Sequence, residues 1–240
     1  MRTVEEETKR MPRHARISSS RVNNLRVKLR QIQSGECEPF VITKEHVFPQ
    51  EEWAEFVRKD TATYYSVNDT TKTEGAKYQL RDVYRDKIYI QYGLKDDTSL
   101  TRNPVIRFYR QIQSRMSIEI DKMLSLIRDK FTIKPTPCFI NGGYSPVTKT
   151  HFDDYHNILL VLSGSKTFYL AKQGTIVKSQ TRNPNETDSN PHDGVSVFLK
   201  ATLTPGSILY IPAGYWHFVE SGPHSVMLNF WFVPKGRAAS

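Results

Sequence analysis

Residues 88–91, 138–141, 157–163, 167–170, 195–200, 207–211 and 225–233 are short runs rich in β-branched or aromatic side chains, and Gly, Pro, Asn or Ser bounds most of them. Runs of this length and composition read as strands, and a chain holding so many must fold them into a sheet sandwich or a barrel. At 240 residues the chain can bury one sizeable core, and barrels of this length commonly form a single domain. Helical spacing appears elsewhere. Val22, Leu25, Leu29 and Ile32 predict a short amphipathic helix ending near Gly35, and residues 49–58 predict a second. The stretch 104–130 predicts the longest, with Pro104 at its start and Ile106, Tyr109, Ile112, Met116, Ile120, Met123 and Ile127 on one apolar stripe. That stripe is packing, not a ligand box. The polar stretch 172–194 is too long for a hairpin and is either a lid over a site or a surface excursion.

Composition excludes several classes. Cys37 and Cys138 are the only cysteines, too few for a disulfide framework or a Cys-rich zinc module, and they suit a reducing intracellular compartment, nucleus or cytoplasm. The longest clean apolar run is 158–162, far short of a bilayer span, and the N-terminus is charged where a signal peptide is apolar, so no membrane association is expected. The formal charge of +9 is concentrated at the start: nine Lys and Arg stand against Glu5, Glu6 and Glu7 within residues 1–30. Residues 1–35 therefore read as a basic leader, partly disordered or helical, and 36–240 as the folded domain. Such a leader can attract phosphate backbones, which makes RNA a possible partner, or an acidic protein face; the plain alternative is a solvated segment aiding solubility or nuclear import.

Of the seven histidines only His151 is followed two residues later by a carboxylate, in His151-Phe152-Asp153. On a strand, residues two apart share a face, so His151 and Asp153 can point at one metal while Phe152 packs behind them. The pair alone is a common pattern. A third ligand comes from a later run in which Pro205-Gly206 and Pro212 with Gly214 bracket the strand 207–211, so that His217 opens the next strand. Two imidazoles and one carboxylate on one side of a metal leave positions open, the arrangement of non-haem Fe(II) oxygenases; a zinc hydrolase would need a general base that is not identifiable here. Lys166 follows the tight Ser163-Gly164-Ser165 turn, from which its ammonium can reach inward toward an anion. Read in isolation, it is a solvated turn lysine.

Taken together, Thr148-Lys149-Thr150-His151-Phe152-Asp153, Asn157, Gly164-Ser165-Lys166, the run from Pro205-Gly206 to Trp216-His217, and Asn229-Phe230-Trp231 resemble the JmjC oxygenases of the small, cupin-like branch, over residues 89–231. That branch includes the hypoxia-inducible-factor asparaginyl hydroxylase and the tRNA wybutosine hydroxylase. The resemblance implies a mainly β fold with flanking helices, a double-stranded β-helix of the jelly-roll type. It implies iron ligands at His151, Asp153 and His217, and a 2-oxoglutarate site formed by Lys166, at the distal carboxylate, with Thr148. Tyr89 joins them by similarity of 88–91 to a strand of the asparaginyl hydroxylase. Asn157 and Asn229 match positions lining the same pocket; for each, the plain alternative is a buried polar residue satisfying backbone groups.

The implied activity is that of a dioxygenase using Fe(II), 2-oxoglutarate and O2 to hydroxylate a C–H of a macromolecule, with a protein side chain as the expected substrate. A tRNA base, suggested by the basic leader, and a non-catalytic JmjC-fold binding module are the alternatives. Many histone demethylases carry Glu where this chain has Asp153, and non-oxygenase cupins usually carry His there, so both activities are less favoured. The asparaginyl hydroxylase continues beyond the last strand into dimerisation helices, whereas this sequence stops at Ser240, so a homodimer is not expected from the resemblance and the oligomeric state stays open. His156, His192 and His224 lack metal spacing and read as structural or solvated, and Trp216 and Trp231 as core or pocket wall. Asp154 and Tyr155 either touch substrate or cap a loop.

Overall fold

The computed structural model describes residues 20–35, 37–43, 48–69, 77–92, 102–113, 115–134, 138–143, 148–172, 186–187 and 197–235. Most of the basic leader and most of the 172–194 connection lie outside the described residues. The elements run α1 (Ser20–Gln33), β1 (Phe40–Ile42), α2 (Gln50–Lys59), β2 (Tyr64–Asp69), β3 (Lys77–Tyr78), α3 (Leu80–Arg85), β4 (Tyr89–Tyr92), α4 (Pro104–Gln111) and α5 (Arg115–Lys130). There follow β5 (Phe131–Ile133), β6 (Cys138–Asn141), β7 (Thr150–His151), β8 (His156–Ser163), β9 (Lys166–Ala171), β10 (Glu186–Thr187), β11 (Leu199–Leu203), β12 (Ile208–Ile211), β13 (Trp216–Ser221) and β14 (Val226–Pro234).

The strands form two sheets. The larger has the order β1-β12-β8-β14-β6-β4-β2-β3, with β5 also pairing β14; the smaller has the order β10-β7-β13-β9-β11. Strands distant in sequence lie side by side, as in a jelly roll. This is the expected mainly β architecture with flanking helices. Period-two alternation decides what each strand faces. On β8, Leu159 and Val161 join Leu209, Ile211, Met227, Phe168, Leu170 and Val219 in a core between the sheets. Ile158, Leu160 and Leu162 of the same strand face the other way, into a core shared with the helices. A strand buried on both faces needs an unbroken apolar run, which is why 158–162 is the cleanest in the chain.

The structure corrects two expectations. The predicted helix 104–130 is two, because α4 ends at Gln111 and Gln113 adopts a left-handed φ of 47° before α5 begins. Ile106, Tyr109, Met116, Ile120, Met123 and Ile127 are all buried in one core, so the stripe keeps its spacing across the break and conceals it. Asn103 starts α4 by accepting hydrogen bonds from the Val105 and Ile106 amides, with Pro104 behind it. The strand expected at 195–200 instead begins at Leu199 and runs to Leu203, because its partner β9 extends from Leu170, opposite Leu199, to Lys166, opposite Leu203.

Candidate active site

His151 and His217 sit directly across the β7–β13 pairing, with ring centroids 4.2 Å apart. Asp153 follows β7 after Phe152, whose ring packs edge-on against Trp216 on the other side of the strand. The Gly214 amide donates to the Asp153 carbonyl at 2.8 Å, so the Pro212 to Gly214 turn pins the backbone that carries the carboxylate. One ligand atom from each of His151, Asp153 and His217 lies within 4.8 Å of the others.

Tautomers follow from the outer contacts. His151 Nδ1 lies 2.8 Å from the Lys149 carbonyl and His217 Nδ1 lies 3.1 Å from the Tyr215 carbonyl. A carbonyl only accepts, so in both rings the proton is on Nδ1 and the Nε2 lone pair is free. His217 Nε2 then faces Asp153 Oδ2 at 3.8 Å, acceptor toward acceptor. Burial drives the His217 pKa down to about 3, with the His151 charge adding to it, so His217 is neutral at ordinary pH. Burial raises the Asp153 pKa while His151 pulls it the other way. Lone pairs converging from two imidazoles and a carboxylate are a cation's ligand set, and this donor set suits Fe(II).

A second polar cluster occupies the other end of the same barrel interior. Lys166 is only 1% exposed. Its ammonium donates to Ser221 Oγ at 2.7 Å and to the Tyr89 hydroxyl at 3.3 Å, and it lies over the rings of Tyr89 and Phe139 at 4.9 and 5.6 Å. Burial pulls its pKa down to about 7. An ammonium buried among hydroxyls and aromatic rings is an anion site, since lysines are almost never fully buried unless paired. Burial likewise pushes the Tyr89 phenol up, keeping it protonated as a donor.

β13 connects the two ends. His217, Val219 and Ser221 share its inner face; His217 pairs with Leu170 of β9, and Ser221 with Lys166. Four residues at about 3.3 Å each set the two rows about 13 Å apart along the strand. Between them lies Thr148, whose amide donates to the Val219 carbonyl and whose hydroxyl accepts from the Val219 amide, both at 2.9 Å. Across the barrel, Asn157 and Asn229 are 4% and 3% exposed, and the Oδ1 of each has no hydrogen-bond partner among the described residues.

The residues expected to hold the metal and the cosubstrate lie in one interior: His151, Asp153 and His217 at one end, Lys166 and Tyr89 at the other, Thr148 between them, Asn157 and Asn229 on the facing wall; His192 lies outside the described residues. His156 is placed outside it, with Nδ1 2.9 Å from the Tyr210 hydroxyl and its ring stacked on Phe232. Sequence reasoning missed Ser221, which the period-two count from His217 along one strand would have found, and Phe139, which carried no signal. It also missed the indole nitrogen of Trp231, which has no hydrogen-bond partner among the described residues.

A family model described as a cupin-like domain matches residues 107–238. The chain is similar to Lysine-specific demethylase JMJ30 of Arabidopsis thaliana, at 28% identity over 138 residues, 48% of this chain and 32% of that protein. It is also similar to JmjC domain-containing protein F of Dictyostelium discoideum, at 32% identity over 123 residues, 39% of this chain and 26% of that protein. Its alignments thus span 32% or less of the length of these relatives. Among solved structures it resembles the Escherichia coli ribosomal oxygenase YcfD with a TM-score of 0.47 at 14% identity, covering 85% of this chain and 49% of that one. The family model takes in more than half of the chain, including both histidines, Asp153 and Lys166, and the chain belongs to the cupin-like domain family.

Proposed function

We propose that the chain is an Fe(II)- and 2-oxoglutarate-dependent oxygenase that hydroxylates a C–H of a macromolecule, preferentially a protein side chain. One observation carries the reading: a His, Asp, His set with converging lone pairs and a buried ammonium stand at the two ends of one interior, four residues apart along β13. An anion that meets both must be elongated, with a chelating head and a carboxylate tail, and 2-oxoglutarate has that form. Bound there, Fe(II) with 2-oxoglutarate and O2 supplies the oxidation, in which the cosubstrate leaves as succinate and CO2 and a substrate C–H gains a hydroxyl.

The chain's own residues position and shield. The carbonyls of Lys149 and Tyr215 hold both imidazoles with Nε2 turned inward. Lys166, Tyr89 and Thr148 fix the far carboxylate and its length from the metal, while Asn157 and Asn229 line the facing wall. The Leu159, Val161, Leu170 and Val219 side chains between the sheets exclude water from this interior.

A protein substrate is supported by the name of one relative, a lysine-specific demethylase. Asp153 and the Lys166 to Tyr89 contact support placement in the branch that resembles the asparaginyl and wybutosine hydroxylases. We assign residues 36–240 as the catalytic unit and 1–35 as a basic leader. The positive surplus of that leader favours, as a second reading, a tRNA base as substrate. Purified protein with Fe(II) should convert 2-oxoglutarate to succinate, and mass spectrometry of candidate peptides and RNAs should find a gain of one oxygen. Loss of a methylene from methylated lysine would point to demethylation instead, and failure to bind either Fe(II) or 2-oxoglutarate without air would make the chain a binding module. Wild-type turnover by an Asp153→Ala variant would sink the ligand assignment.

A further inference from the structure

We propose that the indole N–H of Trp231 is a further hydrogen-bond donor of this site, aimed at the metal-side carboxylate of the bound cosubstrate; the inference rests on the oxygenase reading. Along β14, Leu228, Phe230 and Phe232 face the helix-side core. Met227 faces the space between the sheets, and alternation places Asn229 and Trp231 on that same inner face. Trp231 pairs directly with Asn157 of β8, and Asn229 with Leu159. Cross-strand neighbours are about 5 Å apart and diagonal ones about 7 Å, so Asn157, Asn229 and Trp231 form one patch.

The patch lies at the metal end. Lys166 contacts Tyr89, which pairs with Asn141, and the β6 segment beside it runs along the Val226 end of β14. Trp231 is toward the opposite end of β14, and its ring stacks on Tyr155, two residues after Asp153, with centroids 6.0 Å apart at 24°.

Among the described residues, Trp231 Nε1 is buried without a partner, as are the Oδ1 atoms of Asn157 and Asn229. The contrast within the molecule is direct, since the buried Trp53 indole donates to the Tyr84 hydroxyl at 2.7 Å. An unpaired buried donor is costly, and here it is held rigidly: Tyr155 fixes the ring, and the Lys134 amide donates to the Trp231 carbonyl at 2.8 Å. A donor beside two carboxamides, which can present either end, forms a neutral polar wall. Lys166 neutralises the distal carboxylate at the far end. The metal-side carboxylate needs donors that orient it without competing with the metal for its charge, and an indole N–H meets that need.

The test uses the whole chain loaded with Zn(II) as a diamagnetic stand-in, and follows the indole ¹⁵N–¹H signals of its three tryptophans on titration with 2-oxoglutarate. The Trp231 signal, identified by its loss in Trp231→Phe, should move downfield, while that of Trp53 should stay. Trp231→Phe keeps an aromatic ring against Tyr155, so it should bind Zn(II) normally and 2-oxoglutarate about tenfold more weakly. A Trp231 signal that stays still while 2-oxoglutarate binds, with Trp231→Phe binding it as tightly as wild type, overturns the inference and leaves the oxygenase reading intact. If wild type does not bind 2-oxoglutarate, both fall. Should Trp231→Phe not fold, Trp53→Phe and Trp216→Phe assign the other two indole signals, and the wild-type titration of the remaining one decides.

Discussion

Replacing Lys166 with Met separates stability from function at one buried position. The Lys166 ammonium titrates near 7 where an exposed lysine titrates near 10.5, so across that window the unfolded chain holds a proton that the folded chain has lost. Its folded pKa is depressed, hence stability rises with pH from about 7 to about 10.5 and is fully reduced below that window. At pH 7 the reduction is about 4 kcal/mol, taking about 1.4 kcal/mol per pH unit. Lys166→Met removes it and in exchange leaves the hydroxyls of Ser221 and Tyr89 without their donor, at about 1 kcal/mol each. The ligand-free variant should therefore be about 2 kcal/mol more stable than wild type at pH 7, and about equal near pH 9. Urea unfolding of both proteins at the two pH values measures this, and the comparison cancels groups common to both. The same variant should lose the stabilisation that 2-oxoglutarate gives to wild type. A variant less stable than wild type at pH 7 by the same margin as at pH 9 would refute the reasoning, because a buried, uncompensated ammonium could not then be present.

Metal should stabilise the chain through the His, Asp, His set: Mn(II) at about 100 times its Kd adds about 2.7 kcal/mol, seen as a raised Tm, and Asp153→Ala should abolish the rise. A methyl group on Gly142 would lie 2.0 Å from the Val83 carbonyl oxygen, so Gly142→Ala should cost about 3 kcal/mol or more by urea unfolding. At Gly222 the obstacle is the Ser165 hydroxyl at 2.7 Å, which can rotate away, and Gly222→Ala should cost clearly less. Arg107 pairs at 3.1 Å with the buried carboxylate of Asp60, which also accepts from Tyr64, so Arg107→Ala should destabilise by about 3 kcal/mol, with little change in 2-oxoglutarate affinity because the pair lies in the helix layer.

The parts legible in the sequence are those that burial imposes on single strands. β8 announces itself through 158–162 because both its faces are covered, and β12 through the Pro and Gly turns at its ends. β7 carried no such mark. Its two residues form a strand because β13 and β10 pair with it, not because of their own composition. The break after α4 was concealed by an apolar stripe that serves one core on both sides of it. For the site, His151, Asp153 and His217 were readable because metal binding restricts residue type and spacing. Ser221 was not, since a serine becomes informative only when a buried lysine is seen to lean on it. The unpaired Trp231 nitrogen is a property of the assembled interior, and no local pattern encodes it.

Because β13 is clamped between β7 and β9 and braced by Thr148, the spacing between the His217 row and the Ser221 row is a backbone dimension, and only the reach of the Lys166 side chain adds to it. A hydrogen-bonded strand cannot stretch, and a slip of one residue would turn His217 and Ser221 out of the barrel altogether. On the oxygenase reading the interior would then work as a gauge: an acid one carbon shorter or longer than 2-oxoglutarate should bind more weakly, and moving the lysine two residues along β9 should shift the preferred length.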